Sequence, residues 1–367
     1  MEINNKFSYK IFNNLIIDNL KIINILYIFI LSIMSFACSP EDKLIDNTTN
    51  RFNLLLTTNE SNKPIKILQL PENNVIENDN TNKLNVVLDG KIINKTKKYL
   101  DKLYFIIEEE ATIYVFNSDT YDYIDKYVFD QSRTPIDIAF SNATDAYVLY
   151  KNKSALTVVQ NNIGLIDIYF NKFVKDIDTE YPSDLTSIAA HKNMLYLGFS
   201  DKNIGKFDIR DNKLKSTTKI RNICNLITVT FNNDILLFID GDSTNNLKST
   251  VIYINQNEFT NQKEVEINLF GVSSNILQSN SVVNSPKEYT FFATNQGLLR
   301  LDSRNRANPS FISSEIYNLC RYNERNSSLI LIKNLPNGSV IDFADNETGD
   351  IKSSYSINYK IMSLLPL

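Results

Sequence analysis

The stretch SSLILIKNLPNGSVIDFADNETGDIKSSYSI, from Ser327 to Ile357, decides the fold. It holds three runs of strand length, and a Pro-Asn-Gly segment separates the first run from the second. The turn DNETG separates the second from the third and suits a hairpin in which Gly349 takes the left-handed conformation. A further apolar run, IYNLCRY from Ile316, precedes the stretch. The pattern therefore predicts four successive antiparallel strands, which make one blade of a β-propeller.

The same unit recurs along the chain. A polar turn leading into an apolar and aromatic run occurs six times, and successive runs begin 44, 48, 40, 54 and 40 residues apart. The six runs are DKLYFIIEE from Asp101, DAYVLYKN from Asp145, NMLYLGFS from Asn193, NDILLFIDG from Asn233, KEYTFFATN from Lys287 and SSLILIKN from Ser327. A period of about 40–50 residues with several strands per unit is typical of β-propellers. Almost no stretch after residue 50 has the apolar period of an amphipathic helix.

Segments left over at the two ends of the repeat predict a seventh blade. YKIMSLLPL, at the C-terminal end, has the pattern of an innermost strand with nothing after it. RFNLLLTTN and KPIKILQLP, near residue 60, have the pattern of second and third strands with nothing before them. Joining them closes the ring and removes the sheet edges at the seam. The predicted fold is an all-β propeller of seven four-stranded blades over residues 51–367, with six or eight as alternatives because residues 75–99 are poorly patterned.

The blade that ends in VIDFADNETGDIKSSYSI resembles the repeat of quinoprotein-like propellers, in which an Asp-containing strand, a Thr-Gly turn and a fourth strand end each blade. The tryptophans that dock neighbouring blades in that family are missing here, since the chain has no Trp. We expect some of the 19 Tyr and 21 Phe residues to take their place between the blades.

Before the repeats, the run from Ile22 to Phe36 is about 15 residues long, too short to span about 30 Å of hydrocarbon as a helix. It fits the apolar part of a secretory signal, and the small residues Ser35 and Ala37 precede Cys38. This arrangement resembles a bacterial lipoprotein precursor of the relaxed, spirochaetal kind, although Ser35 stands where Leu is usual. The resemblance implies a signal peptide over residues 1–37, a lipid on Cys38 and a polar tether over residues 38–50. An ordinary cleaved leader and an uncleaved anchor are the alternatives.

Composition excludes several kinds of site. The formal net charge is −4 and no basic block stands out, so nucleic acid is not an expected partner. Cys224 and Cys320 have no metal-ligand spacing, and we interpret them as buried small residues, with a disulfide as the alternative. The single histidine, His191, is interpreted as a loop residue. The acidic spots Glu108–Glu110 and Asp240–Asp242 are interpreted as solvated turns rather than calcium sites.

No catalytic motif is present. The chain has no G-x-S-x-G nucleophile, P-loop or H-E-x-x-H pattern. Quinone-dependent propeller enzymes surround their cofactor with Trp, which this chain lacks. We therefore expect no catalytic residues, no metal and no cofactor, and the protein is predicted not to be an enzyme.

A lipobox combined with a quinoprotein-like propeller resembles the scaffold lipoprotein of the outer-membrane β-barrel assembly machinery. The resemblance implies a non-catalytic, protein-binding scaffold, held on the outer membrane by its lipid and facing the periplasm. A surface-displayed lipoprotein that binds a host or matrix protein is one alternative, and a degenerate propeller enzyme or ligand sensor is another. Tyr and Arg are favoured anchors at protein contacts. The loop residues predicted to contact partners are Tyr121, Arg210, Arg304 and Arg306.

Overall fold

The computed structural model describes most of the chain from Phe52 to Leu367. The described residues are 52–60, 62–70, 74–76, 79–152, 163–230, 233–239, 241, 248–255, 259, 262–266, 282–305 and 309–367. They all belong to one compact unit, Arg51–Leu367. The predicted signal peptide (1–37), the tether (38–50) and Cys38 lie outside the described residues, so these assignments and the domain boundary stay predictions.

The described residues form seven antiparallel sheets of four strands, which we number as blades 1–7. Blade 1 contains β4 (Lys95–Tyr99), β5 (Lys102–Ile107), β6 (Thr112–Asn117) and β7 (Tyr123–Val128). Blade 2 contains β8 (Arg133–Phe140), β9 (Asp145–Asn152), β10 (Ile163–Asp167) and β11 (Lys172–Ile177). Blade 3 contains β12 (Leu185–His191), β13 (Met194–Phe199), β14 (Asn203–Asp208) and β15 (Lys213–Lys219).

The remaining blades follow the same plan, and the seventh joins both ends of the chain. Blade 4 contains β16 (Cys224–Val229), β17 (Ile235–Ile239), β18 (Thr250–Ile254) and β19 (Gln262–Glu266). Blade 5 contains β20 (Val282–Asn284), β21 (Tyr289–Thr294), β22 (Gly297–Asp302) and β23 (Ser310–Ser313). Blade 6 contains β24 (Leu319–Asn323), β25 (Ser328–Leu335), β26 (Gly338–Asp345) and β27 (Ile351–Ile357). Blade 7 contains β28 (Ile361–Pro366), β1 (Phe52–Thr58), β2 (Ile65–Leu70) and β3 (Asn74–Ile76), in that spatial order.

Blade 7 confirms the predicted ring closure. β28 is its innermost strand and pairs with β1, so that Leu55 faces Leu365 and Leu56 faces Leu364. The N–H of Leu367 donates to the carbonyl of Asn53 at 3.0 Å, which extends the pairing by one residue. β1 is thereby hydrogen-bonded along both edges, to β28 and to β2, so the seam does not leave it as an edge strand.

The hydrophobic core of the described residues is divided into seven clusters, one in each gap between neighbouring blades. Second and third strands are buried on both faces, as in β17, where all five residues are buried. Fourth strands are polar and largely exposed, as in β15. Fully buried tyrosines fill several gaps, among them Tyr104, Tyr147 and Tyr196. Aromatic rings therefore occupy the blade interfaces of a chain that has no Trp.

The cysteine interpretation is confirmed, because Cys224 and Cys320 are both buried and both carry free thiols. The disulfide alternative is therefore wrong. Burial raises the pKa of the Cys320 thiol to about 12, which keeps it protonated and unreactive at neutral pH.

One helix among the described residues, α1 (Asp79–Leu88), was not expected from the sequence. It packs between blades 7 and 1 through Leu84 and Leu88, which are four residues apart and fully buried. Asn85 holds it to β2, because its side chain accepts from the N–H of Ile65 and donates to the carbonyl of the same residue, each at 3.0 Å. The apolar face of the helix consists of Leu84 and Leu88 with the partly buried Val87. This is too few residues for the sequence to show a helical period.

A recurring turn ends the third strand of five blades. The last residue of that strand is Asn or Asp, and its side chain accepts hydrogen bonds from backbone N–H groups two or three positions later. These capping residues are Asn117, Asp167, Asp208, Asp302 and Asp345. The residue four positions after the cap has a positive φ in blades 1, 2, 3 and 6. In blade 6 this residue is Gly349, with φ +79°, as the sequence predicts.

We expect Gly349→Ala to lower the free energy of unfolding by about 2–3 kcal/mol. Left-handed backbone costs a residue with a Cβ about 1–2 kcal/mol, and a Cβ here would lie 1.9 Å from the Cγ2 of Ile312 in the neighbouring blade. Gly90→Ala is the matched control, because Gly90 has φ +74° and its Cβ would meet nothing within 4 Å. Urea unfolding of the two variants separates the clash from the backbone strain. Equal losses of unfolding free energy in the two variants would show that the side chain of Ile312 moves aside without cost.

Candidate functional site

The turns of the ring fall on two faces. Neighbouring strands are antiparallel, so the turns that join first to second and third to fourth strands share one face, which we call the proximal face. β1 is a second strand, so it begins on that face, and β28 ends there beside it. The chain therefore enters the ring at Phe52 on the proximal face.

Blades 1 and 2 expose an apolar surface at the proximal face. Tyr169 and Phe170 lie in the turn between β10 and β11, and their side chains are 69% and 67% exposed. Their rings contact edge to face at 4.9 Å. Leu100, in the turn between β4 and β5, lines the same 290 Å³ cavity as Tyr169. Tyr169, Phe170 and Leu100 form what we call the aromatic patch.

Local hydrogen bonds fix the turn that carries the patch. The carboxylate of Asp167 accepts from the N–H groups of Tyr169 and Phe170, each at 2.9 Å. Lys102 of blade 1 donates to the side-chain oxygen of Asn171 at 2.7 Å and to the carbonyl of Ile168. Burial lowers the pKa of Lys102. The two aromatic rings are therefore presented by a turn that is bonded to the neighbouring blade.

Three of the sequence-predicted binding residues, Tyr121, Arg210 and Arg304, lie in turns between third and fourth strands, on the proximal face. Arg210 is exposed and contacts Asp208 of its own turn at 3.5 Å. Arg304 is held by two bonds to Asp302, both at 3.1 Å, and its guanidinium lies over the ring of Tyr289. Arg306 lies outside the described residues.

Tyr121 differs from its expected environment. It was expected on an exposed loop, but its side chain is only 8% exposed and packs in the core between blades 7 and 1. Its backbone has φ +58°, a left-handed conformation that is rare for a bulky residue. Little of its surface is left for a partner to contact, and the structure does not bring it into the aromatic patch.

A cavity of about 740 Å³ occupies the centre of the ring. Each of the seven innermost strands contributes lining residues. They are Thr96, Lys97 and Lys98 of β4, Phe140 of β8, His191 of β12, Val229 of β16, Val282, Val283 and Asn284 of β20, Arg321 of β24 and Leu365 of β28. Phe140, His191 and Val229 are the last residues of their strands, so the cavity lies toward the proximal face.

Basic side chains of β4 meet one buried carboxylate beside this cavity. Asp137 of β8 accepts from Lys95 at 3.0 Å and from Lys97, whose ammonium group also donates to the carbonyl of Ile138 at 2.5 Å. Burial alone would raise the pKa of Asp137, but the two ammonium groups outweigh it and hold that pKa at about 2. Burial lowers the pKa of Lys97, and Lys95 and Arg321 add repulsion that Asp137 only partly offsets.

Arg321 and His191 complete the polar lining. Arg321 bridges blades 6 and 7, since its Nε donates to the carbonyl of Leu364 at 3.2 Å and a terminal nitrogen donates to the carbonyl of Cys320 at 2.9 Å. Burial lowers the pKa of this guanidinium. His191 was expected in a loop, but it is the last residue of β12, paired with Met194, and it faces the cavity. Burial and the adjacent Lys192 lower the pKa of its imidazole.

The acidic spots do not form a cation site in the part of the chain that the structure describes. Glu110 binds Lys91 at 2.5 Å and the hydroxyl of Tyr114 at 2.8 Å, and these bonds keep its pKa below the usual value despite burial. Asp240 and Asp242 lie outside the described residues. Among the described residues, no three His, Cys, Asp or Glu side chains are grouped as metal ligands. The described helix is not long and apolar enough to cross a membrane.

The comparisons with known proteins support the fold alone. No family model matches the chain, and no curated protein matches it. In contrast, 1559 solved chains match its structure. One of them is the WD40 domain of Pan2 from Neurospora crassa, which has a TM-score of 0.54 and 10% sequence identity, with 72% of this chain and 78% of that chain covered. At this identity the likeness says nothing about the site, and we conclude that the chain is a seven-bladed β-propeller similar in architecture to a WD40 domain.

Proposed function

We propose that this protein is a membrane-tethered, non-catalytic scaffold whose aromatic patch binds another protein. The observation that carries the proposal is the pair Tyr169 and Phe170, which a fixed turn holds exposed on the proximal face. Contact sites on proteins are enriched in Tyr and Phe, and exposed aromatic clusters of this kind mark interaction surfaces.

The proposed tether fits the position of this surface. In the proposal Cys38 carries the lipid, and residues 38–51 span at most about 50 Å when fully extended. The chain enters the ring on the proximal face, which also carries the aromatic patch. A partner of this patch would therefore lie close to the membrane that holds the lipid.

The lipoprotein resemblance suggests the partner. We propose that the protein sits on the periplasmic side of the outer membrane and binds the machinery that assembles β-barrel proteins there. A partner of that kind is membrane-bound and has domains next to the bilayer, where the proximal face would meet them. The protein would then position its partner without any turnover of its own.

The test is affinity capture from detergent-solubilised membranes. We expect the wild-type protein to bring down barrel-assembly components. The double variant Tyr169→Ser with Phe170→Ser should bring down at least tenfold less, because two aromatic anchors worth about 2 kcal/mol each weaken the affinity by more than a hundredfold when both are lost. The control replaces Phe311 and Ile316 by Ser, since both are exposed apolar residues outside the patch.

Two outcomes would contradict parts of this proposal. Equal loss in the patch variant and the control would show that the aromatic patch is not the contact surface. Capture of no barrel-assembly component by the wild type would reject the assembly role. Cleavage of the protein by protease added to intact cells would then favour the surface-displayed lipoprotein that binds a host or matrix protein.

A further inference from the structure

The central cavity has the size and construction of a ligand site. Its volume of about 740 Å³ lies within the range of about 300–1,000 Å³ that small-molecule pockets occupy. Innermost strands from all seven blades form most of its wall, and the turn residues Thr230 and Asn233 complete it, so its shape is fixed mainly by the closed ring. Sites supported by strands hold their side chains in place more firmly than sites on loops.

The charge around the cavity is opposite to the charge of the chain. Lys95, Lys97, Lys98 and Arg321 lie in or beside it, and Asp137 is the carboxylate that faces them. Four basic groups against one carboxylate leave a formal excess of three positive charges, whereas the whole chain carries −4. None of the described residues that line the cavity is acidic. A narrow cavity with walls of low dielectric strengthens the field of such an excess.

Two polar atoms of the cavity wall have no hydrogen-bond partner among the described residues. Thr96 is 1% exposed, and within the described residues its hydroxyl has no hydrogen-bond partner. The Nε2 atom of His191 is buried and likewise lacks one among the described residues. Both residues line the cavity. Both atoms are themselves shielded from the cavity, so the groups that a ligand there can reach are the basic side chains of Lys97, Lys98 and Arg321.

We propose that the central cavity binds a small multivalent oxyanion, a phosphate ester or a polycarboxylate, through Lys97, Lys98 and Arg321. Charge-assisted hydrogen bonds from ammonium and guanidinium groups to such oxygens are the strong ones. A ligand that enters from the proximal face meets Lys98 first, because this side chain is exposed whereas Lys97 is partly buried. The proposed scaffold would thus bind a small ligand in its central cavity and a partner protein on its aromatic patch.

Isothermal titration calorimetry with inorganic pyrophosphate and with citrate tests this inference. We expect at least one of the two anions to bind at low ionic strength, and the affinity to fall as salt is added. Tighter binding of pyrophosphate would assign the site to phosphate esters, and tighter binding of citrate would assign it to polycarboxylates. If neither anion binds below about 1 mM, the inference is overturned.

A charge-matched pair of variants locates the site. Lys98→Gln should weaken the bound anion roughly tenfold, and Lys98→Arg should restore most of the affinity, because the charge and the donors return. Lys213→Gln removes the same charge from the exposed outermost strand β15 and should change nothing. Equal weakening by Lys98→Gln and Lys213→Gln would mean that the anions bind the surface non-specifically, and the proposal would fail. Arg321→Gln, on β24 two blades from β4, should also weaken the bound anion, and an unchanged affinity would exclude Arg321 from the site.

Discussion

Deletion of residues 358–367 is expected to leave the protein insoluble or rapidly degraded by protease. The deletion removes β28, and with it the buried side chains of Ile361, Leu364 and Leu365. Each is worth about 2 kcal/mol of buried apolar surface, and the paired edge of β1 would be exposed as well. The sum approaches the whole stability of a typical domain, about 5–15 kcal/mol. A normal melting transition in the truncated protein would contradict the ring closure.

Two point variants within β28 give the same test in a form that can be measured by urea unfolding. Leu364→Ala should cost about 3 kcal/mol, because the side chain is 1% exposed and its loss leaves a cavity. Met362→Ala is the control in the same strand, since its side chain is 42% exposed. We expect the control to cost less than about 1 kcal/mol. Similar losses in both variants would mean that β28 contributes through its backbone alone.

Asp137→Ala should lower the free energy of unfolding by about 2–3 kcal/mol. The substitution leaves the ammonium group of Lys95 buried and that of Lys97 partly buried without their carboxylate, and the loss stays below the roughly 3–5 kcal/mol of a fully buried pair because water reaches Lys97. Asp211→Ala removes one partner of an exposed ion pair with Lys215 and should cost about 0.5 kcal/mol or less. Replacing all three buried groups by apolar residues should recover most of the loss.

The pH dependence of the same carboxylate supplies an independent check. The pKa of Asp137 is about 2 in the folded protein, below the ordinary Asp value. A depressed folded pKa contributes stability that is complete above about pH 4 and is lost as the pH falls toward 2. We therefore expect wild type to exceed Asp137→Asn in unfolding free energy at pH 5, and the difference to shrink by about 2 kcal/mol by pH 2. Parallel stability curves for the two proteins would refute the assignment.

The sequence predicted the blades where burial is most complete. β5, β9, β13, β17, β21 and β25 are second strands with both faces covered by neighbouring blades, so they appear as apolar and aromatic runs. β4 was not recognised because its sequence KTKKY is basic, and it is one of the seven strands that line the central cavity. Lys95 and Lys97 of β4 form ion pairs with Asp137 beside the central cavity and do not pack in an apolar gap between blades. The basic residues that make β4 a candidate for ligand binding also leave it without an apolar pattern, so the strand could not be recognised from apolar periodicity.

The aromatic patch was also missed, for a different reason. Tyr169 and Phe170 stand in the segment DIYFNKFV, between two runs of strand type. Turns are usually polar, so two adjacent aromatic residues beginning two positions after a capping Asp were a usable signal. Tyr121 illustrates the opposite error. It lies in the turn that the capping residue Asn117 begins, so an exposed position was expected. In the structure its side chain packs with residues of helix α1 and blade 7, and no residue near it in the sequence indicates this burial.

Ring closure also sets the order in which the chain can complete its fold. The side-chain oxygen of Asn59, next to β1, accepts from the N–H of Lys360, which is 301 positions away. A ribosome that adds about 5–20 residues per second needs roughly 15–60 s to synthesise the residues between them. Closing so long a loop adds little entropy cost beyond that of a shorter one, since the cost grows only with the logarithm of length. The delay instead leaves β1 paired with β2 alone and its other edge open, so mispairing during synthesis should begin at that edge of β1.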